Sequence, residues 1–384
     1  MILRLAIKNF FGAGLRTWLN VGALSIVFAT ILLMQGMYTG LFTKIENDMI
    51  HFEVAGGQYW QKNYDPHNFL NVDDSYADYS AFQDKIDLDE AVPILIRSAY
   101  LYSDANMQGI LLKGIDRNQS LLEMPTHTFN SEPGIISVYM GSIMAKHAHI
   151  QEGDNVMIRF RDKHGVNNAI EAEVSHIMHV PIQSIDIGQI WIDLNILQKL
   201  TDLENHATIV TVNEPLSRKI GGWDYQGMDV MFADLTAWKM QELSGGYMMM
   251  AILLGLVVIS VFDTQMLAIF RRKKEIGTLV AIGMRQQGVV WLFTVEGMLY
   301  AVFAVIIGAV PGIPFLYYLQ KHGINLGSSM EELAMNIANV IYPECSWNVI
   351  FTVSAMVFIV VILVSYFAAK RITKMNIVQT LKGK

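Results

Sequence analysis

Of 384 residues, 52% are hydrophobic and only 16% charged, with positive mean hydropathy, which excludes an ordinary soluble protein of this length and points to a membrane protein carrying a soluble insert. The single cysteine, Cys345, excludes an internal disulfide, so such an insert must hold together by its core alone, which about 200 residues can do. The net charge of −7 hides a strong segregation along the chain.

Residues 1–16 carry Arg4, Lys8 and Arg16 with no acid, interleaved with Leu3, Leu5, Ile7, Phe10 and Phe11, and read as an amphipathic segment lying on the inner membrane surface. Residues 17–43 hold no charge, a run of 27 where about 20 suffice to cross the hydrocarbon, and form the first transmembrane helix. The run is too long for the apolar region of a cleaved signal peptide, and no small-residue cleavage site follows it. Gly36 and Gly40 make a small-xxx-small pair, either a place where another helix approaches or an incidental feature of a glycine-tolerant helix.

Residues 44–242 hold 14 Lys/Arg against 29 Asp/Glu and belong outside the cell membrane. Runs of strand texture at 92–101, 109–115, 156–160, 169–177 and 208–212 alternate with polar loops and short helical pieces, which predicts an α+β domain. The segment from His179 to Gly188, with Pro181, Ile182 and Gln183 at its stiff apolar start, interrupts two strand-like runs; it is either a partner-binding loop or a hairpin loop packed on the sheet. The second transmembrane helix is expected over 246–270, a cytoplasmic loop over 271–286, the third helix over 287–319, a short outer loop over 320–346, the fourth helix over 347–369 and a cytoplasmic tail over 370–384. The third contains Gly308 and Gly312 in a second small-xxx-small pair, and Pro311 and Pro314 that are expected to kink it.

The amino terminus, the 271–288 loop and the tail together carry thirteen Lys/Arg against one acid, Glu275, so all three are expected in the cytoplasm, with the large domain and the 321–344 loop outside. Asp263 and Glu296 each cost a few kcal/mol at a bilayer centre. They read either as a polar brace through Arg271, Arg272 or Arg285, or as side chains that snorkel to the interface. No Gly-x-x-x-x-Gly-Lys-Ser/Thr and no Ser/His/Asp elbow occurs, so the chain is not expected to be an enzyme. Histidines pair only as His147 with His149 and His176 with His179, too few for zinc, and no metal, nucleic acid or bound cofactor is expected.

Arg271 to Arg285 reads Arg-Arg-Lys-Lys-Glu-Ile-Gly-Thr-Leu-Val-Ala-Ile-Gly-Met-Arg, four positive charges followed by an apolar stripe at Ile276, Leu279, Val280 and Gly283. Composition alone makes it a stop-transfer loop. Its order resembles the coupling loop of the ABC permease superfamily that contains FtsX, MacB, LolC and LolE, where charged residues precede a Glu-Ile-Gly and an Ala-Ile-Gly-like turn, here Glu275-Ile276-Gly277 and Ala281-Ile282-Gly283. Gly114-Ile115-Asp116, Gly153-Asp154, Arg16-Thr17 and Ala369-Lys370-Arg371 are similar to the family too, and the layout is closest to LolC and LolE.

The resemblance implies a membrane protein of four transmembrane α-helices with a large extracytoplasmic α+β domain between the first two, in the inner membrane. It implies a non-catalytic permease subunit whose coupling residues, Arg271, Arg272, Lys274, Glu275, Ile276, Gly277, Leu279, Ala281, Gly283 and Arg285, dock on a separate ATPase that binds ATP and Mg. It further implies a second permease chain meeting this one near Gly308 and Gly312, contact with membrane lipid, and a lipoprotein cargo handed to a soluble carrier at Pro181 to Gln183. MacB-like efflux of amphiphilic peptides or drugs, FtsX-like signalling to a cell-wall hydrolase, and a receptor without an ATPase are the alternatives. Leu243 to Gly246 imitates the start of an ATPase signature, but is expected to be a flexible helix start.

Overall fold

The computed structural model describes residues 2–12, 14–103, 106–129, 135–178, 186–216, 219–325 and 340–374. These fall into two compact units: a helical one built from residues before 43, from 238 to 325 and from 340 onward, and a β-rich one within residues 43–237.

The chain starts with α1 (Ile2–Gly12) and α2 (Leu15–Met49), the latter running on into a π-helical turn at Ile50–Val54. Inside the β-rich unit the main strands are β1 (Gln58–Gln61), β2 (Ala91–Ser103), β3 (Asn106–Ile115), β4 (Ser137–Gly141), β5 (Asn155–Arg161), β6 (Asn167–Met178), β7 (Gln189–Asp193), β8 (Ile209–Val212), β9 (Lys219–Ile220) and β10 (Trp223–Gln226). Two helices accompany them, α3 (Ser142–Ala148) and α4 (Leu194–Thr201). The helical unit then continues with α5 (Ala233–Arg271), α6 (Lys273–Ala281), α7 (Gln286–His322) and α8 (Trp347–Lys370).

The strands form one mixed sheet in the order β9-β10-β1-β8-β2-β3-β7-β4-β6-β5, and β5 pairs back onto β2. The thirteen-residue β2 makes this closure possible. Its first residues, Ala91 to Ile94, pair with β8, while Ala99 to Tyr102 on the same edge pair with β5, and its other edge is taken throughout by β3. Strands β2, β3, β7, β4, β6 and β5 therefore close a barrel, with parallel pairings at β3/β7 and β4/β6, and the remaining strands extend from its β2 corner. Closure removes edges that would otherwise pair with other chains.

Both faces of the central strands are buried, which is why they read as nearly continuous apolar runs in the sequence. Leu95, Leu101, Leu112, Val138, Met140, Ile158 and Val174 fill one side together with Met144 of α3 and Leu197 of α4. Ile94, Ile96, Tyr139 and Trp191 pack on the other beneath Leu122, Met124 and Phe129. Asp193 caps α4 by accepting from the Asn195 and Ile196 amides, which fixes the strand-to-helix turn.

In the helical unit α2, α5, α7 and α8 are long and apolar enough to cross a membrane, the candidate spans being Thr17–Val54, Ala233–Arg271, Gln286–His322 and Trp347–Lys370. The chain is thus a multi-pass membrane protein with an α+β domain inserted between its first and second spans. Val349, Val353, Val357 and Val361 repeat every fourth residue along α8 and join the shared core with Leu24, Phe28, Val257, Tyr300 and Ala304. Helix α1 is not merely laid on the surface: Phe10 is 2% exposed and stacks on Phe303 at 4.8 Å, with Tyr300 at 5.3 Å.

Several expectations are corrected. Leu243 to Gly246 is continuous helix within α5, because the span starts thirteen residues before residue 246. Pro311 and Pro314 do lie inside the third span, within α7. Gly308 and Gly312 face α2 of the same chain: a Cβ on Gly308 would stand 2.8 Å from the Ser25 carbonyl oxygen, and one on Gly312 would meet Ala29 at 3.6 Å. Gly36 lies against both a helix and a loop, a Cβ there standing 2.9 Å from the Leu316 side chain of α7, whereas Gly40 admits loop backbone alone. The Gly36 carbonyl accepts from the Glu344 amide at 2.8 Å, and a Cβ on Gly40 would run into the Tyr342 carbonyl. His149 closes α3 at φ 57°.

Candidate functional site: the loop between the second and third spans

Helix α5 ends at Arg271 and the chain turns at once into α6, whose underside is apolar. Ile276 is 5% exposed and packs with Ile269, Val289, Val290, Phe293, Ala369 and Ile372, a patch gathered from both neighbouring spans and the end of α8. Gly277 is buried, and Leu279 and Val280 are half-buried. After Ala281 the helix stops because Gly283 takes φ 102°, a conformation that disfavours any side chain. Arg285 is extended and starts α7.

The upper face is open. Lys273, Lys274, Glu275, Thr278, Ala281 and Gly283 are exposed, as are Arg271 and Arg285, and Ile282 is 79% exposed at the tip. One apolar side chain is thus exposed among cations at the tip of a short braced helix.

What braces α6 is a cluster that crosses three elements. Arg272 donates from Nη1 to both carboxylate oxygens of Glu296, at 2.9 and 3.1 Å, and from Nε to Glu275 Oε2 at 2.8 Å. Its guanidinium also sits 5.1 Å from the Phe293 ring centroid. Glu296 accepts a further hydrogen bond from Asn9 Nδ2 of α1 at 2.6 Å. The Glu296 side chain is 9% exposed and that of Arg272 22%. A carboxylate in a span is costly alone, and here a guanidinium and an amide answer it.

Of the residues singled out for coupling, then, Arg272 is turned inward, whereas Arg271, Lys274 and Glu275 remain at the surface. Asp263 does not join the cluster. It is exposed and has no hydrogen bond or ion pair among the described residues, while its neighbour Thr264 accepts from Asn20 of α2 at 2.5 Å. Asn9 was missed by sequence reasoning. The signal was there: an amide between the apolar Ala6 and Phe10 on the buried side of α1.

In the inserted domain, Pro181, Ile182 and Gln183 lie outside the described residues. The end of that segment is described: Asp186, 1% exposed, accepts from the Ile143 amide at 2.9 Å and from Ser142 Oγ at 3.3 Å. It thereby caps α3, whose own cap residue is Gly141. Among the described residues no group of three His, Cys, Asp or Glu could hold a metal ion.

Residues 247–377, which contain the second half of α5, the braced helix and both later spans, match the FtsX-like permease C-terminal family. An FtsX-like permease domain thus occupies the last third of the chain. The chain is 27% identical over 179 residues to an ABC transporter permease of Methanocaldococcus jannaschii, a match covering 45% of this chain and 41% of the relative. The chain thus spans less than half the length of that curated relative. Among solved structures, the extracellular domain of the noncanonic ABC-type transporter YknZ from Gram-positive bacteria overlaps 42% of this chain and 83% of its own, at 13% identity and a TM-score of 0.27.

Proposed function

We propose that this permease is the membrane subunit of an ABC transporter whose separate ATPase subunit docks on the open face of α6. Two permease chains, identical or related, would then serve two ATPase subunits, with the inserted domain outside the membrane and both termini in the cytoplasm. The ATPase would bind ATP and Mg, and this chain would transmit motion. The observation that carries the reading is the Arg272–Glu296–Asn9 cluster, which fastens the exposed docking face to α7 and α1, so that a push on α6 is passed to the spans rather than absorbed by a loose loop.

For the cargo we propose a lipid-anchored protein released from the membrane to a soluble carrier. Ile252, Leu256 and Ile259 of α5 face out of the bundle within a candidate membrane span, where bilayer lipid, an acyl chain or a second permease chain would meet them. The test is ATPase activity of the permease with its copurified ATPase in lipid, with acylated or unacylated lipoprotein. Stimulation by the acylated form alone is expected. Indifference to both forms sinks the lipoprotein reading and favours efflux or cell-wall signalling. Copurification itself tests the docking face: Ile282→Asp is expected to abolish capture of the ATPase, and full capture would remove α6 as the site.

A further inference from the structure

On the outer surface of the barrel, one cross-strand row runs through four strands: Met107 of β3 opposite Tyr102 of β2, Tyr102 opposite Met157 of β5, and Met157 opposite Glu171 of β6. Side chains in such register share a face and stand close enough to act together. Met107 is 61% exposed, Met157 54%, and Tyr100, two residues along β2 on the same face, 50%. On β5 and β6 alternate residues are exposed, and this open face carries thioethers and phenols beside its polar groups; methionines in particular suit surfaces that adapt to a partner.

The row leads into a cleft of about 590 Å³ between this face and the turn after α3. Tyr102, Met157 and Glu171 line it together with His149, Ile150 and Asp154 from the turn between α3 and β5. Among the described residues the lining contains two carboxylates and neither lysine nor arginine. Asp154 is held in place, its Oδ2 accepting from the Gln151 amide at 2.7 Å and its turn set by Gly153 at φ 92°. Glu171 is exposed with no hydrogen bond or ion pair among the described residues. Arg159 lies one row away, opposite Tyr100, outside the lining.

We propose that this cleft binds a basic amphipathic peptide segment, one Lys or Arg side chain lying between Asp154 and Glu171 and its apolar neighbour resting on Met157 and Tyr102. Charge complementarity selects this occupant: among the described residues the cleft offers two carboxylates and neither lysine nor arginine, in an insert holding 14 Lys/Arg against 29 Asp/Glu. Apolar contact supplies what a lone surface ion pair does not, since exposed pairs contribute little. The site belongs to the inserted domain and does not depend on which cargo the transporter moves.

The experiment measures anisotropy of a fluorescein-labelled decapeptide of alternating Leu and Lys against the full-length permease in zwitterionic nanodiscs, with empty nanodiscs subtracted. Saturable binding is expected, with no binding of the alternating Leu and Glu peptide. Glu171→Lys is expected to weaken it about tenfold and Met157→Ser several-fold. Glu204→Lys, an exposed acid outside the cleft, should leave it unchanged. Absence of binding, an equal loss in Glu204→Lys, or equal binding of an alternating Ser and Lys peptide would each overturn the proposal, the last two by reducing it to diffuse attraction. Thermal unfolding of each variant confirms that the domain is intact.

Discussion

A carboxylate at position 296 is sustained by its neighbours, and removing any of them has a calculable direction. Breaking one partner of a buried charge pair costs about 3–5 kcal/mol in a dry interior, and the partial exposure of Arg272 lowers the figure to about 1–3 kcal/mol. Glu296→Gln should therefore lower the unfolding midpoint of the full chain and uncouple cargo from ATPase activity, whereas the Glu296→Leu/Arg272→Met pair should recover most of the stability and none of the coupling. A double-mutant cycle read by both assays checks this; recovered coupling would mean the cluster only packs. A second residue responds to pH. Burial pushes the Lys113 ammonium down, against the pull of Glu53 at 3.7 Å, with Trp191 stacked 5.1 Å away. Because the folded state gives up this proton more readily than the unfolded one, its contribution makes stability rise with pH from the lowered folded value up to the ordinary lysine range near about 10.4. Wild type should gain on Lys113→Met in thermal unfolding as pH rises toward about 10.4; parallel curves would place Lys113 in water.

At the scale of elements, packing is decided by small residues. A Cβ on Gly297 of α7 would collide with Ser365 Oγ of α8 and stand 3.0 Å from Gln265 Nε2 of α5, so this glycine sets how closely three spans approach. Gly297→Ala is expected to destabilise the bundle by about 1–3 kcal/mol, with Ser365→Ala restoring part of it, as measured by unfolding in mixed micelles. Failure of that rescue would locate the strain elsewhere. The spans themselves were legible because an uncharged run longer than the hydrocarbon is a local property of the chain. The short helix after α5 was legible for the same reason, four cations and then an apolar stripe. Which arginine meets Glu296 was not, since Arg271, Arg272 and Arg285 are equivalent in sequence and only the Phe293 ring and the turn into α6 select Arg272. Gly308 and Gly312 read equally well as a contact between chains or within one. The closed barrel was invisible for a related reason: β2 looks like any long strand until β8 and β5 are found sharing one of its edges.

For the whole molecule, the division of labour follows from where the charges and the apolar runs were placed: cations on three connected segments, acids in the insert, and one braced helix among the cations. The insert itself begins and ends in neighbouring strands. β1, just after α2, and β10, just before α5, pair antiparallel, Gln58 opposite Gln226 and Tyr59 opposite Tyr225, with Tyr225 Oη donating to the Gly56 carbonyl at 2.9 Å. Its two ends are therefore about 5 Å apart, one strand spacing. The domain is a removable cassette. A chain in which residues 58–226 are replaced by a two-residue turn should still insert in the membrane and still copurify with an ATPase, while losing every response to cargo. By the same geometry, an unrelated domain with adjacent termini could be grafted in its place, so that one membrane engine could acquire new tasks by exchanging what it carries without redesign of its spans.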